Sequence, residues 1–74
     1  MTLQFKTNIN TIECVQRISP YLEDEMGITF WHVDTEVSNK TLTIETETLS
    51  PSEIISIARK AGFIAKLLTK RVLN

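Results

Sequence analysis

The sequence predicts an α+β sandwich in which a strand–helix–strand unit occurs twice, and three observations carry that prediction. Leu3, Phe5, Thr7 and Ile9 share one side of an alternating stretch, the period of a half-buried strand. Val15, Ile18 and Leu22 then follow at helical spacing, and Ile54, Ile57, Ala58 and Ala61 repeat that spacing later in the chain. Ser50-Pro51-Ser52-Glu53 marks a helix start. It has a hydroxyl cap, proline at the first helical position, and glutamate placed to close a capping box.

Each element can be justified in order. The first strand is expected over Leu3 to Ile9, with Asn8 and Asn10 marking its end. Asn10 or Thr11 can cap the helix that follows, because either side-chain oxygen can accept an N–H of the first turn. That helix is expected to run to about Glu25 and to bend at Pro20, which removes a backbone donor. Gly27 is expected to stop it, with Met26 packing back onto it. The second strand is expected over Ile28 to Asp34, with Trp31 and Val33 inward and Phe30 and His32 on the other face. Thr35 to Asn39 reads as a polar connection and Ser38-Asn39-Lys40 as a turn. Thr41 to Thr46 is the third strand, with Leu42 and Ile44 inward. Gly62 stops the second helix, and Phe63 to Leu68 is the fourth strand. Residues 1–69 are thus expected to form the domain and residues 70–74 a short basic tail.

Strand, helix, strand, strand, helix, strand closes through two right-handed crossovers into a four-stranded antiparallel sheet with both helices on one face. This is the ferredoxin-like βαββαβ arrangement. It brings Lys60, Gly62 and Phe63 to the end of the molecule that holds Cys14. His32 falls on the open face, with the sheet between it and the thiol.

Composition narrows the functional classes. Seventy-four residues suffice for one two-layer domain with little stability to spare. No apolar run reaches the length of a membrane span, and no basic region followed by an apolar stretch suggests a signal peptide. A single cysteine leaves no internal disulfide and fits a reducing cytoplasm. All nine acidic residues lie between Glu13 and Glu53, and the five charged residues after Glu53 are all basic. That asymmetry is either a basic patch that steers an acidic partner or a solvated helix face, the plainer alternative. Basic residues are few and no aromatic ladder accompanies them, so nucleic acid is not expected as a partner. No enzyme is expected either. The chain lacks a paired nucleophile and base and a glycine-rich phosphate loop, and has only two glycines.

Cys14 is the residue with chemistry to offer. A thiol at a strand-to-helix turn faces the positive end of the helix, which favours the thiolate, and thiolates bind soft metals. Cys14 can be a residual metal ligand, a redox-reactive thiol or a half-exposed residue at a helix start. As a ligand it needs a second thiolate, from a second copy, a partner protein or glutathione. His32 is an imidazole with only Asp34 near it on its strand face, which is not the ligand spacing of a metal site. Phe30 and His32 together can form a small interface on the open sheet face.

Three segments carry a resemblance to a known family. Phe5-Lys6-Thr7-Asn8-Ile9-Asn10-Thr11-Ile12-Glu13-Cys14-Val15, Gly27-Ile28 through Val33-Asp34, and Leu49-Ser50-Pro51-Ser52-Glu53-Ile54-Ile55 through Lys60-Ala61-Gly62-Phe63 resemble the heavy-metal-associated domain of copper chaperones and metal-pumping ATPases. The likeness runs from about Leu3 to Leu68. The family's loop pattern is Met-x-Cys-x-x-Cys. By that resemblance Ile9 stands at the buried methionine, Thr11 at the first cysteine and Cys14 at the second. Ile12 and Glu13 fill the two positions between, and Phe63 matches the aromatic residue beside the metal loop. Lys60 would lie close enough to stabilise a thiolate. The motif is degenerate, since a neutral hydroxyl is a hard, weak ligand and Cu(I) prefers soft thiolates. The resemblance implies a metal-binding protein that handles Cu(I) or another soft metal ion through Cys14, with a homodimer, a metal-transporting ATPase or another protein as partner. The alternative is a metal-free interaction module that kept the fold and lost the site.

Overall fold

The computed structural model describes residues 1–71. Six elements follow in the expected order: β1 (Thr2–Thr7), α1 (Ile12–Glu23), β2 (Ile28–Asp34), β3 (Thr41–Thr46), α2 (Pro51–Lys60) and β4 (Ala65–Arg71). The strands form one sheet in the order β2-β3-β1-β4, and all neighbours are antiparallel. This is the ferredoxin-like α+β sandwich.

One face of the sheet makes the core. Leu3 and Phe5 of β1 and Leu42 and Ile44 of β3 are fully buried, against Ile18 and Leu22 of α1 and Ile54 and Ala58 of α2. Burying each large side chain of this kind contributes about 1.5–3 kcal/mol. Every residue of the expected α2 stripe, Ile57 and Ala61 included, is in that core. Trp31 packs against it from β2, partly buried. The alternating positions Phe30 and His32 are exposed on the other face, as the period of a strand requires.

Both helix boundaries of α2 follow the sequence signals. Ser50 caps it, Pro51 opens it and Glu53 completes the capping box. At its other end the Gly62 N–H donates to Arg59 O at 3.0 Å and the Phe63 N–H to Ala58 O at 2.9 Å, the paired bonds of a Schellman motif. Gly62 carries the positive φ of 92° that this motif needs. The motif turns the chain so that Phe63 is buried beside the start of α1.

Five expectations are corrected. The first helix ends at Glu23 with Asp24 as its C-cap, before Glu25 and Gly27. Gly27 is not its stop: a Cβ there would meet the Leu49 side chain at 2.7 Å, so the residue permits a close approach of two segments. Met26 does not pack back on the helix but is 99% exposed, because it lies in the turn beyond the helix rather than on its inner stripe. Pro20 sits within α1, and helical bonding continues past it through the Asp24 N–H to Pro20 O. The last strand begins at Ala65 rather than Phe63 and extends past Leu68. Lys70 and Arg71, expected in a tail, pair with Leu3 and Thr2 of β1. A register shift at Gln4/Phe5 lets β4 continue along β1. The rest of the expected tail, residues 72–74, lies outside the described residues.

Candidate functional site

The loop between β1 and α1 is built around Thr11. Its backbone is extended (φ −133°, ψ 164°), so its side chain can turn back over the first helical turn as the N-cap. The Cys14 N–H donates to Thr11 Oγ1 at 3.2 Å. The same hydroxyl donates to Cys14 Sγ, also at 3.2 Å. Of the two caps the sequence allows, the structure uses Thr11. Asn10 is engaged differently, with its Oδ1 3.7 Å from Cys14 Sγ, where it can accept the thiol proton.

These contacts set the state of the thiol. Cys14 is half-buried, and its pKa lies below the ordinary thiol value. The largest cause is the hydrogen bond from the Thr11 hydroxyl, which stabilises the thiolate. Partial desolvation opposes it, and backbone contacts from Thr11 and Asn10 and the charge of Arg17 assist. The cation that acts on the thiol is therefore Arg17, one helical turn further along α1. Lys60, expected in that role, is exposed and lines a shallow groove with Glu53, Ser56 and Ile57.

The other loop residues fall as follows. Ile9 is fully buried beneath the loop, and Phe63 is buried at the start of the segment leading to β4. The Arg17 guanidinium lies over the Phe63 ring at 5.9 Å from its centroid, within cation–π range. Asn8 Oδ1 accepts the Ile64 N–H at 2.9 Å and so ties the end of β1 to the α2–β4 segment. Ile12 and Glu13 are exposed, Ile12 at 63%. Phe30, 55% exposed, and His32 occupy the open sheet face, and are not part of the thiol's surroundings. Among the described residues no three His, Cys, Asp or Glu side chains come together as a metal cluster.

Arg17, Asn10 and Asn8 belong to this site although the sequence does not single them out for it. Arg17 was open to inference, since a residue three positions after Cys14 shares its helix face. Asn10 reads in the sequence as a strand end and a candidate cap. Nothing in the sequence signals that Asn8 would bridge to a residue near the far end of the chain.

The order of the elements and the sheet define the class: the chain has the fold of heavy-metal-associated domains. A copper-binding domain of a P-type ATPase superposes with a TM-score of 0.80 at 15% identity, over 92% of this chain and 93% of the other. The copper(I)-loaded first domain of the human copper chaperone CCS gives 0.77 at 24% identity, over 89% of each chain. The N-terminal domain of PacS from Synechocystis PCC6803 gives 0.77 at 16% identity, over 93% of this chain and 98% of that domain. No protein-family model matches the sequence, and no curated protein matches it significantly. At these identities the likeness is one of fold.

Proposed function

We propose that this chain handles a soft metal ion, Cu(I) being the type case, with Cys14 supplying one thiolate of a site shared with a second molecule. The observation that carries this reading is the Cys14 thiol itself, half-buried at the start of α1 with its ionisation favoured by the Thr11 hydroxyl. Solved domains of the same fold include copper-binding and copper(I)-loaded ones, which supports the choice of metal. The donors near Cys14 are the Thr11 hydroxyl and the Asn10 amide oxygen, both hard. They suit a soft ion poorly, so a second thiolate must come from outside. A second copy of the chain, a metal-transporting ATPase domain or glutathione has the right chemistry. Metal would then move by exchange of one thiolate for another, without catalysis of any bond in the protein. A reducing compartment such as the cytoplasm keeps Cys14 available.

A second reading has its own support. Thr11 Oγ1 is occupied with both the Cys14 N–H and Sγ, so the loop is satisfied without any ion. That fits an interaction module that retains the fold alone.

Native mass spectrometry of the reduced protein with limiting Cu(I) separates the two. One copper bridging two chains, abolished in Cys14→Ser, is the expected result. A bare monomer at every copper ratio, with glutathione present as well as absent, overturns the metal reading and leaves the second.

A further inference from the structure

No described element covers the open face of the sheet, and its charges are sorted by strand. Asp34 and Glu45 stand on β2 and β3, whereas Lys6 and Lys66 stand on β1 and β4. Lys6 and Lys66 are direct partners across the β1–β4 ladder. Like charges placed opposite each other destabilise a sheet unless a counter-charge comes near. Among the described residues the ion pair present is between the N-terminal amine and Glu47, so neither lysine is ion-paired among them.

The register arranges these charges in rows. Asp34 pairs with Thr41, and Gln4 with Thr43. Two residues along from Gln4, Lys6 lies level with Thr41 and pairs on its other side with Lys66. Asp34 and Lys66 are therefore the two ends of one row across the sheet. A two-fold axis parallel to the strands, placed above the face, keeps each row at its own height and reverses its direction. It sets Asp34 of each copy over Lys66 of the other, twice per pair, and turns Phe30 from solvent towards a second sheet.

We propose that this face is a self-complementary interface for a second copy of the chain, packed sheet to sheet about that axis. Aligned sheets pack about 10 Å apart. A perpendicular in-plane axis would instead put β2 on β2 and β4 on β4, like charge on like. An unrelated acidic partner would satisfy the lysines but leave Asp34 and Glu45 opposed, so the sorted face favours its own copy. Four strands of six or seven residues present a face of roughly 20 by 20 Å, from the usual strand spacing and rise. That area is below what permanent dimers bury, so the pair is weak, concentration-dependent and salt-sensitive. The helices, and Cys14 with them, lie on the outer sides of such a pair. The inference is thus independent of the proposed metal site, and needs neither copper nor Cys14.

Zero-length carbodiimide cross-linking of Cys14→Ser protein, mixed from 15N-labelled and unlabelled chains at high concentration and low salt, tests it. Within one chain Asp34 and Lys66 are three strand spacings apart, about 14 Å, too far for an amide bond. The expected product is a mixed-isotope peptide joining Asp34 to Lys66, alongside a dimer in sedimentation that dissociates as salt is raised. Lys66→Glu should weaken association roughly tenfold, and adding Asp34→Lys to it should restore most of the loss, as expected for a registered charge pair. Monomeric sedimentation at the highest concentration, or a dimer that forms without the mixed Asp34–Lys66 peptide, overturns the proposal. Asp34 also accepts the Glu36 N–H, so if the swapped chain fails to fold the cross-link on the Cys14→Ser chain alone decides.

Discussion

At the start of α1 the Thr11 hydroxyl accepts the Cys14 N–H at 3.2 Å, and at the start of α2 the Ser50 hydroxyl accepts the Glu53 N–H at 3.4 Å. The two caps are alike in backbone and in the donor they satisfy. They differ in the side chain three residues after the cap. Glu53 reaches back and accepts the Ser50 N–H at 3.4 Å, which closes the capping box. Cys14 does not reach back, and its sulfur receives the cap's own hydroxyl hydrogen instead. The same helix terminus that favours the Glu53 carboxylate also favours a Cys14 thiolate. One position therefore holds a structural anion at α2 and an ionisable, half-buried nucleophile at α1. The difference teaches that α1 gives up the second half of a cap, and what stands there is the chain's single thiol, a soft-metal donor once ionised.

The largest effect should come from changing the cap rather than the thiol. Thr11→Cys places two thiols in the first turn, and competition against a Cu(I) chelator should show one-to-one binding tighter than the native chain by orders of magnitude, since soft ligands govern Cu(I) affinity. The gain would come with a loss of about 1 kcal/mol of stability in urea unfolding, because cysteine is a poor cap. Unchanged copper affinity would mean that loop shape, not ligand count, sets the difference between the two helix starts.

Next in size is removal of each cap hydroxyl. Ser50→Ala and Thr11→Ala should each cost about 1 kcal/mol in urea unfolding. Only Thr11→Ala should also slow alkylation of Cys14 at neutral pH, because it removes the main cause of the lowered thiol pKa. The sign for stability follows from linkage. A thiol whose pKa is lower in the folded chain adds stability fully above its unfolded pKa, and that increment is lost as pH falls through the folded value. The native chain should therefore gain slightly on Thr11→Ala as pH rises through the thiol range. Equal alkylation rates in the two proteins would sever the hydroxyl from the thiol's chemistry.

Cys14→Glu tests whether α1 can be made to resemble α2. It would recreate the threonine–glutamate spacing of a capping box and should stabilise the chain by about 0.5 kcal/mol, within the range of a single helix-terminus interaction. A loss of stability would show that the Asn10 and Arg17 surroundings are shaped for sulfur.

The same contrast explains what the sequence made legible. Ser50, Pro51 and Glu53 act through bonds to residues within one turn, so local spacing sufficed to place α2 from its cap to its Schellman stop. Leu42, Ile44 and the α2 stripe were equally open to reading, because burial on one face leaves a period. Sequence and structure part where tertiary contacts decide. Gly27 resembled a helix stop, yet it answers to the Leu49 side chain from a distant segment. Met26, expected to pack back onto the first helix, lies in the turn past α1 and is exposed there. Lys60 and Cys14 do share an end of the fold. The cation whose charge acts on the sulfur is Arg17, on the thiol's own helix.

Arg17→Gln isolates that last contribution and carries the smallest expected change. Arg17 is the least of the influences on Cys14, and its charge is divided between the thiol and the face of Phe63. Removing the charge should raise the thiol pKa by less than Thr11→Ala does. The half-point of the alkylation-rate profile against pH should therefore move upward, but remain below that of Thr11→Ala. Because the arginine acts through its field and the threonine through a hydrogen bond, added salt should narrow the gap between native and Arg17→Gln while leaving the Thr11→Ala gap in place. If salt closes both gaps, the thiol at α1 is governed by charge alone, and the hydroxyl there serves only as the cap that Ser50 is at α2.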